Sequence, residues 1–315
     1  VYSMLNNKKK WLLVGFAAFI SQAQAEVLVI LPESGPMARA TSSIKSGFMS
    51  AYALSEDKVP LKFINSDKKT IKTILAKHLN KKTQLIVGPL AKNEVEQIVA
   101  INPKVRILAL NEVETQSPNV IQFSLSKQDD AYALKQIMQK DKVSQLLVLR
   151  QTGREQDSEL YLMSIMSQFG QSVEVVEEIP KKLKKGQGLL LLGDDAWMNQ
   201  LSHLPKNNVY AQPTAIEENQ PIPNGLKFCD VPALYEHQWD DVAQAYLQQP
   251  VSMPYQRLIA FGADAWMLAE LYLKTPKIQN FTLQGRTGDL DVNAQRVTRI
   301  PHCYQKQKNN ILQLQ

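Results

Sequence analysis

The sequence predicts an α/β fold in two lobes, each a mainly parallel sheet flanked by helices, on three observations. Apolar strand-like runs alternate with amphipathic helical stretches in the manner of βαβ units. A fresh apolar strand, Gln145 to Leu149, restarts that alternation near the middle of the chain. The chain has 315 residues, more than one compact core usually holds.

The opening unit is the most explicit. Val27 to Leu31 is a continuous apolar run ended by Pro32, the pattern of a strand covered on both faces. Ser34-Gly35-Pro36 then turns the chain. Beyond it Ile44, Phe48, Ala51 and Tyr52 recur at helical spacing. Ahead of this unit stands an export signal: basic Lys8 to Lys10, apolar Trp11 to Ile20, and the small-x-small site Ala23-Gln24-Ala25. Its ten apolar residues are too few for a membrane span. No Cys lies near the cleavage site, so a periplasmic protein beginning at Glu26, with no lipid anchor there and no membrane span, is expected.

Further strands are expected at Leu61 to Ile64, Leu85 to Val87, Arg106 to Leu110 and Val120 to Phe123. Helices fall at Ile71 to Leu79, around Glu94 to Ala100 and at Gln128 to Met138. The second lobe continues with a helix from Glu155 to Phe169, strands at Val173 to Val176 and Gly188 to Leu192, and a short helix near Trp197 to Leu204. A strand at Val209-Tyr210, a Pro- and Asn-containing loop and a strand from Leu226 to Val231 follow. The helix Leu258 to Leu273 is too apolar to stand alone and should pack back on the first lobe. Thr282 to Leu314 alternates polar and apolar residues around Asn293-Ala294-Gln295, which suggests a β-hairpin. The expected division is a leader over 1–25, a first lobe over 26–124 plus 254–300, and a second over 125–253 plus 301–315.

Composition narrows function. Thirty-six Lys and Arg oppose 30 Asp and Glu, and three of those lysines lie in the leader, so no nucleic-acid or membrane partner is demanded. The runs Lys68-Lys69, Lys81-Lys82 and Lys181 to Lys185 carry no interleaved aromatics and are expected as solvated faces and turns. The two cysteines, Cys229 and Cys303, lie in strand-like segments; they form either a disulfide or two buried thiols, and spacing does not decide between these.

No catalytic constellation assembles. Ser42 and Lys45 make a Ser-x-x-Lys, but Ser55/Lys58, Ser66/Lys69 and Ser124/Lys127 repeat the spacing and no Lys-Thr-Gly exists. Capping at a helix start explains Ser42 better. Gly186-Gln187-Gly188 precedes a strand and cannot cradle a pyrophosphate. His78, His203, His237 and His302 share no metal-ligand spacing. Asp194-Asp195 suit a helix amino terminus, and Asp264 and Trp266 suit packing with a buried hydrogen bond. Neither cofactor nor metal is expected.

Ligands of open α/β sheets sit at the carboxyl ends of strands. The candidate cleft residues are therefore Ser34, Gly35, Pro89, Leu90 and Asn111 from the first lobe, with Gly153 and Arg154 opposite. Helix starts after Pro36 and Pro89 could receive a carboxylate. Pro89 and Leu90 offer no side-chain donor, which leans the cleft towards disuse.

The segments VLVILPESGPMARATSSIKSGFMSAY, LIVGPLAKNEVEQI, ILALNEVE followed by IQFSLSKQDDA, GLKFCDVPALY, and FGADAWMLAELY followed by FTLQGRTGDLDVN resemble, in this order, the carboxyl-terminal domain of the LppC-type penicillin-binding protein activators. The resemblance implies a type I periplasmic-binding-protein fold. It also implies a role in promoting peptidoglycan synthesis by contact with a class A penicillin-binding protein, without catalysis. Full-length members resemble lipoproteins with an amino-terminal helical domain, and neither feature is expected here. The alternative is a periplasmic solute-binding or sensing protein for a small amino-acid-like or cell-wall-derived ligand; an envelope hydrolase is a distant third.

Overall fold

The computed structural model describes residues 25–275 and 280–314. The leader thus lies outside the described residues except for Ala25. The first half runs β1 (Glu26–Leu31), α1 (Ala38–Leu54), β2 (Leu61–Asn65), α2 (Ile71–His78), β3 (Thr83–Val87), α3 (Lys92–Ile101), β4 (Arg106–Ala109) and β5 (Val120–Phe123). Next come α4 (Lys127–Lys140), β6 (Gln145–Arg150), α5 (Glu155–Phe169), β7 (Val173–Val176), β8 (Gln187–Leu192), α6 (Asp195–Met198), β9 (Val209–Ala211) and β10 (Lys227–Asp230). The chain ends with α7 (Asp240–Gln248), α8 (Met253–Lys274), β11 (Phe281–Gln284), β12 (Asp289–Val292), β13 (Arg296–Ile300), β14 (His302–Gln307) and β15 (Asn310–Leu314).

Among the described residues these strands form two sheets, ordered β11-β12-β13-β5-β4-β3-β1-β2 and β15-β14-β10-β9-β8-β6-β7. The βαβ portion of each is parallel, and antiparallel hairpins from the carboxyl-terminal region complete one edge of each. Strand alternation explains the unbroken apolar run of β1. Val27, Val29 and Leu31 enter the core shared with α1 and α8, while Leu28 and Ile30 enter the core shared with α2 and α3. In the second sheet Leu146 and Val148 face α4 and α5, while Leu147 and Leu149 face the opposite core.

The apolar helix predicted at 258–273 is α8, and it packs along α1 as the first lobe requires. Glycines set how close the two helices come. A Cβ on Gly47 would lie 1.8 Å from the Ile259 carbonyl oxygen, and one on Gly262 would lie 1.9 Å from that of Ile44. Trp266 seals the contact, its ring 5.2 Å from that of Phe48 and its Nε1–H donating to Ser55 Oγ at 2.6 Å.

Several expectations are corrected. The segment around Trp197 to Leu204 is helical only over Asp195–Met198, because Asp194 caps it and the chain turns away directly afterwards. Helix α7 had no counterpart in the sequence reading. It packs on α1, so Val242 and Ala245 lie in the first sheet's core, although the division before 254 leaves them with the second lobe. The single hairpin expected over 282–314 is a meander, β11-β12-β13, joined to a separate hairpin, β14-β15, and these two parts belong to different sheets. Ser42 lies in the second turn of α1 rather than at its cap.

Among the described residues the chain passes between the sheets three times: after β5, after β10 and after β13. Cys229 on β10 and Cys303 on β14 stand directly opposite in the antiparallel register and are joined by a disulfide. Among the described residues no helix is long and apolar enough to cross a membrane.

Candidate functional site

The seven cleft candidates fall into three local groups. Ser34 and Gly35 are exposed, and Gly35 takes φ +69°, a conformation that glycine adopts without strain. The Glu33 N–H donates to Asp67 Oδ2 at 3.0 Å. Asp67 is held below its ordinary value, foremost by a hydrogen bond to the Ser34 side chain. Ser34, Pro36, Asp67, Lys68 and Asn93 border a cavity of about 460 Å³, with Glu94 in its wall. Burial pushes the Glu94 carboxyl up.

Pro89 and Leu90 are buried and face no cleft. Gly88 takes φ +91°, and a Cβ there would lie 2.1 Å from the Ile30 carbonyl oxygen. The Leu110 N–H donates to the Pro89 carbonyl at 3.0 Å, and Asn111 Nδ2 donates to that of Leu90 at 2.9 Å. Asn111 Oδ1 in turn accepts from the Glu112 N–H. These three residues brace one loop against the next, which spends the polar groups a ligand would need. The amino end of α1 is also modified: a 3-10 turn, Gly35–Met37, precedes it, and the Ala38 N–H bonds Gly35.

In the second lobe Gly153 and Arg154 are exposed. The Gly153 N–H donates to Glu155 Oε1 at 3.0 Å. Arg154 pairs with Asp157 at 2.8 Å and with Asp194. Asp194 also accepts the Trp197 N–H at 2.8 Å, and that bond foremost holds its carboxyl below the usual range. Arg154 is therefore already paired with two carboxylates instead of supplying free positive charge. It borders a cavity of about 270 Å³ with Gln151, Asp194, Gln212 and Thr214, separate from the one at Ser34.

The sequence reading missed three arginines, Arg257, Arg286 and Arg299, whereas Asp264 takes the buried hydrogen bonds expected of it. Arg257 on α8 donates from Nε and Nη2 to Asp230 on β10 at 2.9 and 2.8 Å, and from Nη2 to the Pro213 carbonyl. Burial disfavours the guanidinium charge, but Asp230 beside it holds its pKa above the ordinary value. Arg299 on β13 pairs with Asp130 on α4, and its N–H donates to Asp129 Oδ2 at 3.1 Å. Arg286 bonds Asp241 on α7 at 2.7 Å. Asp264, fully buried in α8, accepts from the Arg286 and Thr287 N–H groups and from Thr287 Oγ1. One signal was available for Arg257: it stands at the start of the apolar helical run that holds Asp264, where a charge requires a buried partner.

Chemically, this arrangement presents braced loops and neutralised charges. Among the described residues no group of three or more His, Cys, Asp or Glu side chains is placed to hold a metal ion.

Two mainly parallel sheets, each flanked by helices and joined by repeated crossings, define the periplasmic-binding-protein-like class of α/β proteins. Within it the chain belongs to the LppC family, whose model, described as "LppC putative lipoprotein", matches residues 12–154 and 198–307. It is 24% identical over 294 residues to "Penicillin-binding protein activator LpoA" of Haemophilus ducreyi, covering 84% of this chain and 50% of that protein. The chain thus spans about half the length of the curated relatives it matches. Among solved structures, the "LpoA (YraM) C-domain from Haemophilus influenzae, a regulator of PBP1A" superposes with a TM-score of 0.73 at 21% identity, over 92% of this chain and 100% of that one. A "putative branched-chain amino acid ABC transporter" from Chromobacterium violaceum superposes with a TM-score of 0.68 at 21% identity, over 89% and 99%. At such identities the two structures speak for the fold.

Proposed function

We propose that this protein works by contact and carries out no chemistry of its own: in the periplasm, after removal of its leader, it engages a class A penicillin-binding protein and promotes peptidoglycan synthesis. The observation that carries this reading is the family match, which runs in order through most of the chain. Support comes from the relatives' name, penicillin-binding protein activator, and from the spent polar groups of Asn111 and Arg154 at the strand ends. A capture experiment tests it. The immobilised protein should retain a class A penicillin-binding protein from envelope extract; retention equal to that of an unrelated periplasmic protein contradicts the reading.

One observation favours a second reading, solute binding: the open cavity beside Ser34. Amino acids and muropeptides added in a thermal-shift screen would then raise the melting temperature by mass action.

A further inference from the structure

The fold brings together lysines that lie far apart in the sequence. Lys142, Lys181, Lys182, Lys184, Lys185 and Lys206 come from three chain segments and line one open groove of about 970 Å³ at the amino ends of the second sheet's strands. All six are exposed, and none makes an ion pair among the described residues. The acid among the lining residues, Asp141, is already held by Lys227 Nζ and by Tyr210 Oη, both at 2.6 Å. The groove is therefore an uncompensated, concave positive surface at the opposite end of the strands from the cleft candidates.

What it lacks identifies its occupant. Among the described residues no Trp, Tyr, Phe, Met or Arg lines it, and these are the side chains that anchor protein interfaces, where Lys is depleted. Among the described residues its one ring is the His203 imidazole, which does not make the row of aromatic faces on which successive nucleic-acid bases stack. Among the described residues none of the large exposed apolar side chains borders it and its leucines, Leu183 and Leu204, are half-buried, so no apolar wedge is offered to a lipid surface, and a concave groove cannot lay all six charges on a plane. Lysines are mobile point charges suited to a flexible polyanion. Asn207 and Asn208 add amides able to bond sugar hydroxyls or peptide groups.

We propose that this groove holds a flexible carboxylate-bearing strand, the chemistry of the uncrosslinked peptide stems of peptidoglycan. The choice of strand rests on the proposed function, whereas the charge of the groove does not. Co-sedimentation with purified sacculi tests it, comparing the wild type with K181Q/K182Q/K184Q/K185Q and with K142Q/K206Q, which changes the other two segments. Wild-type binding is expected to weaken with salt, and the fourfold variant to bind roughly tenfold more weakly or worse. Its melting temperature and its capture of the penicillin-binding protein should be unchanged, so failure of the groove and failure of the activator reading are distinguishable. Absence of sacculus binding, or equal binding by the variants, overturns the proposal. Binding to phosphatidylglycerol vesicles in place of sacculi overturns it in favour of a membrane surface. Loss of penicillin-binding-protein capture in the variant, with sacculus binding intact, overturns it in favour of an acidic protein partner.

Discussion

Arg257, on the helix α8 that packs on the first sheet, and Asp230, on β10 of the second sheet, form a two-bond ion pair with 7% and 2% of their surfaces exposed. The guanidinium also bonds the Pro213 and Ile216 carbonyls, so α8 is fastened both to β10 and to the loop after β9. Removing one partner leaves the other charged and buried. Asp230→Asn or Arg257→Met should lower stability by about 3–5 kcal/mol, measured by urea unfolding. Replacing both residues by apolar ones should cost less than either single change.

The α1–α8 contact makes a sharper prediction. The carbonyl oxygens of Ile259 and Ile44 occupy the space where a Cβ on Gly47 or Gly262 would stand. Gly47→Ala and Gly262→Ala should each destabilise by about 1–3 kcal/mol, although alanine is the better helix former. A melting temperature raised by either substitution would refute this packing.

The disulfide between Cys229 and Cys303 closes a long loop, with 74 residues of sequence separation, and fastens the terminal hairpin to the second sheet. The chain-entropy argument assigns about 4 kcal/mol to a loop of that size. Reduction should lower the denaturation midpoint, and the oxidised protein should show no free thiol when unfolded.

Asp129 predicts a pH dependence. Burial pushes its carboxyl up to about 6, against the pull of Arg299 and Arg296, from an ordinary value of 3.8. The folded state therefore holds the proton more tightly than the unfolded chain. The contribution is fully present below pH 3.8 and is lost as pH rises through about 6. For this group, stability should fall by roughly 2 kcal/mol between those values, and Asp129→Asn should flatten that part of the profile.

Much of the fold was legible because burial on both faces leaves an unbroken apolar strand, as in β1, and burial on one face leaves a periodic helix, as in Ile44, Phe48 and Ala51 of α1. What was not legible depends on contacts distant in sequence. Helix α7 is short and buries only Val242 and Ala245 as apolar residues, which find their place only against α1, as Arg257 does only against Asp230. The cleft candidates were chosen by position at strand ends, which cannot tell an exposed loop such as that of Ser34 from the brace formed by buried Pro89 and Leu90 with half-buried Asn111. Lys181 to Lys185 read as a solvated turn because Lys142 and Lys206 join it only in the folded chain.

The most direct test of action by contact is the peptide-crosslinking rate of a purified class A penicillin-binding protein on lipid-linked precursor, with and without equimolar protein. The account predicts a faster rate in the mixture and no change to the precursor from this protein alone. An unchanged rate at saturating protein, or turnover of precursor by this protein alone, would contradict it.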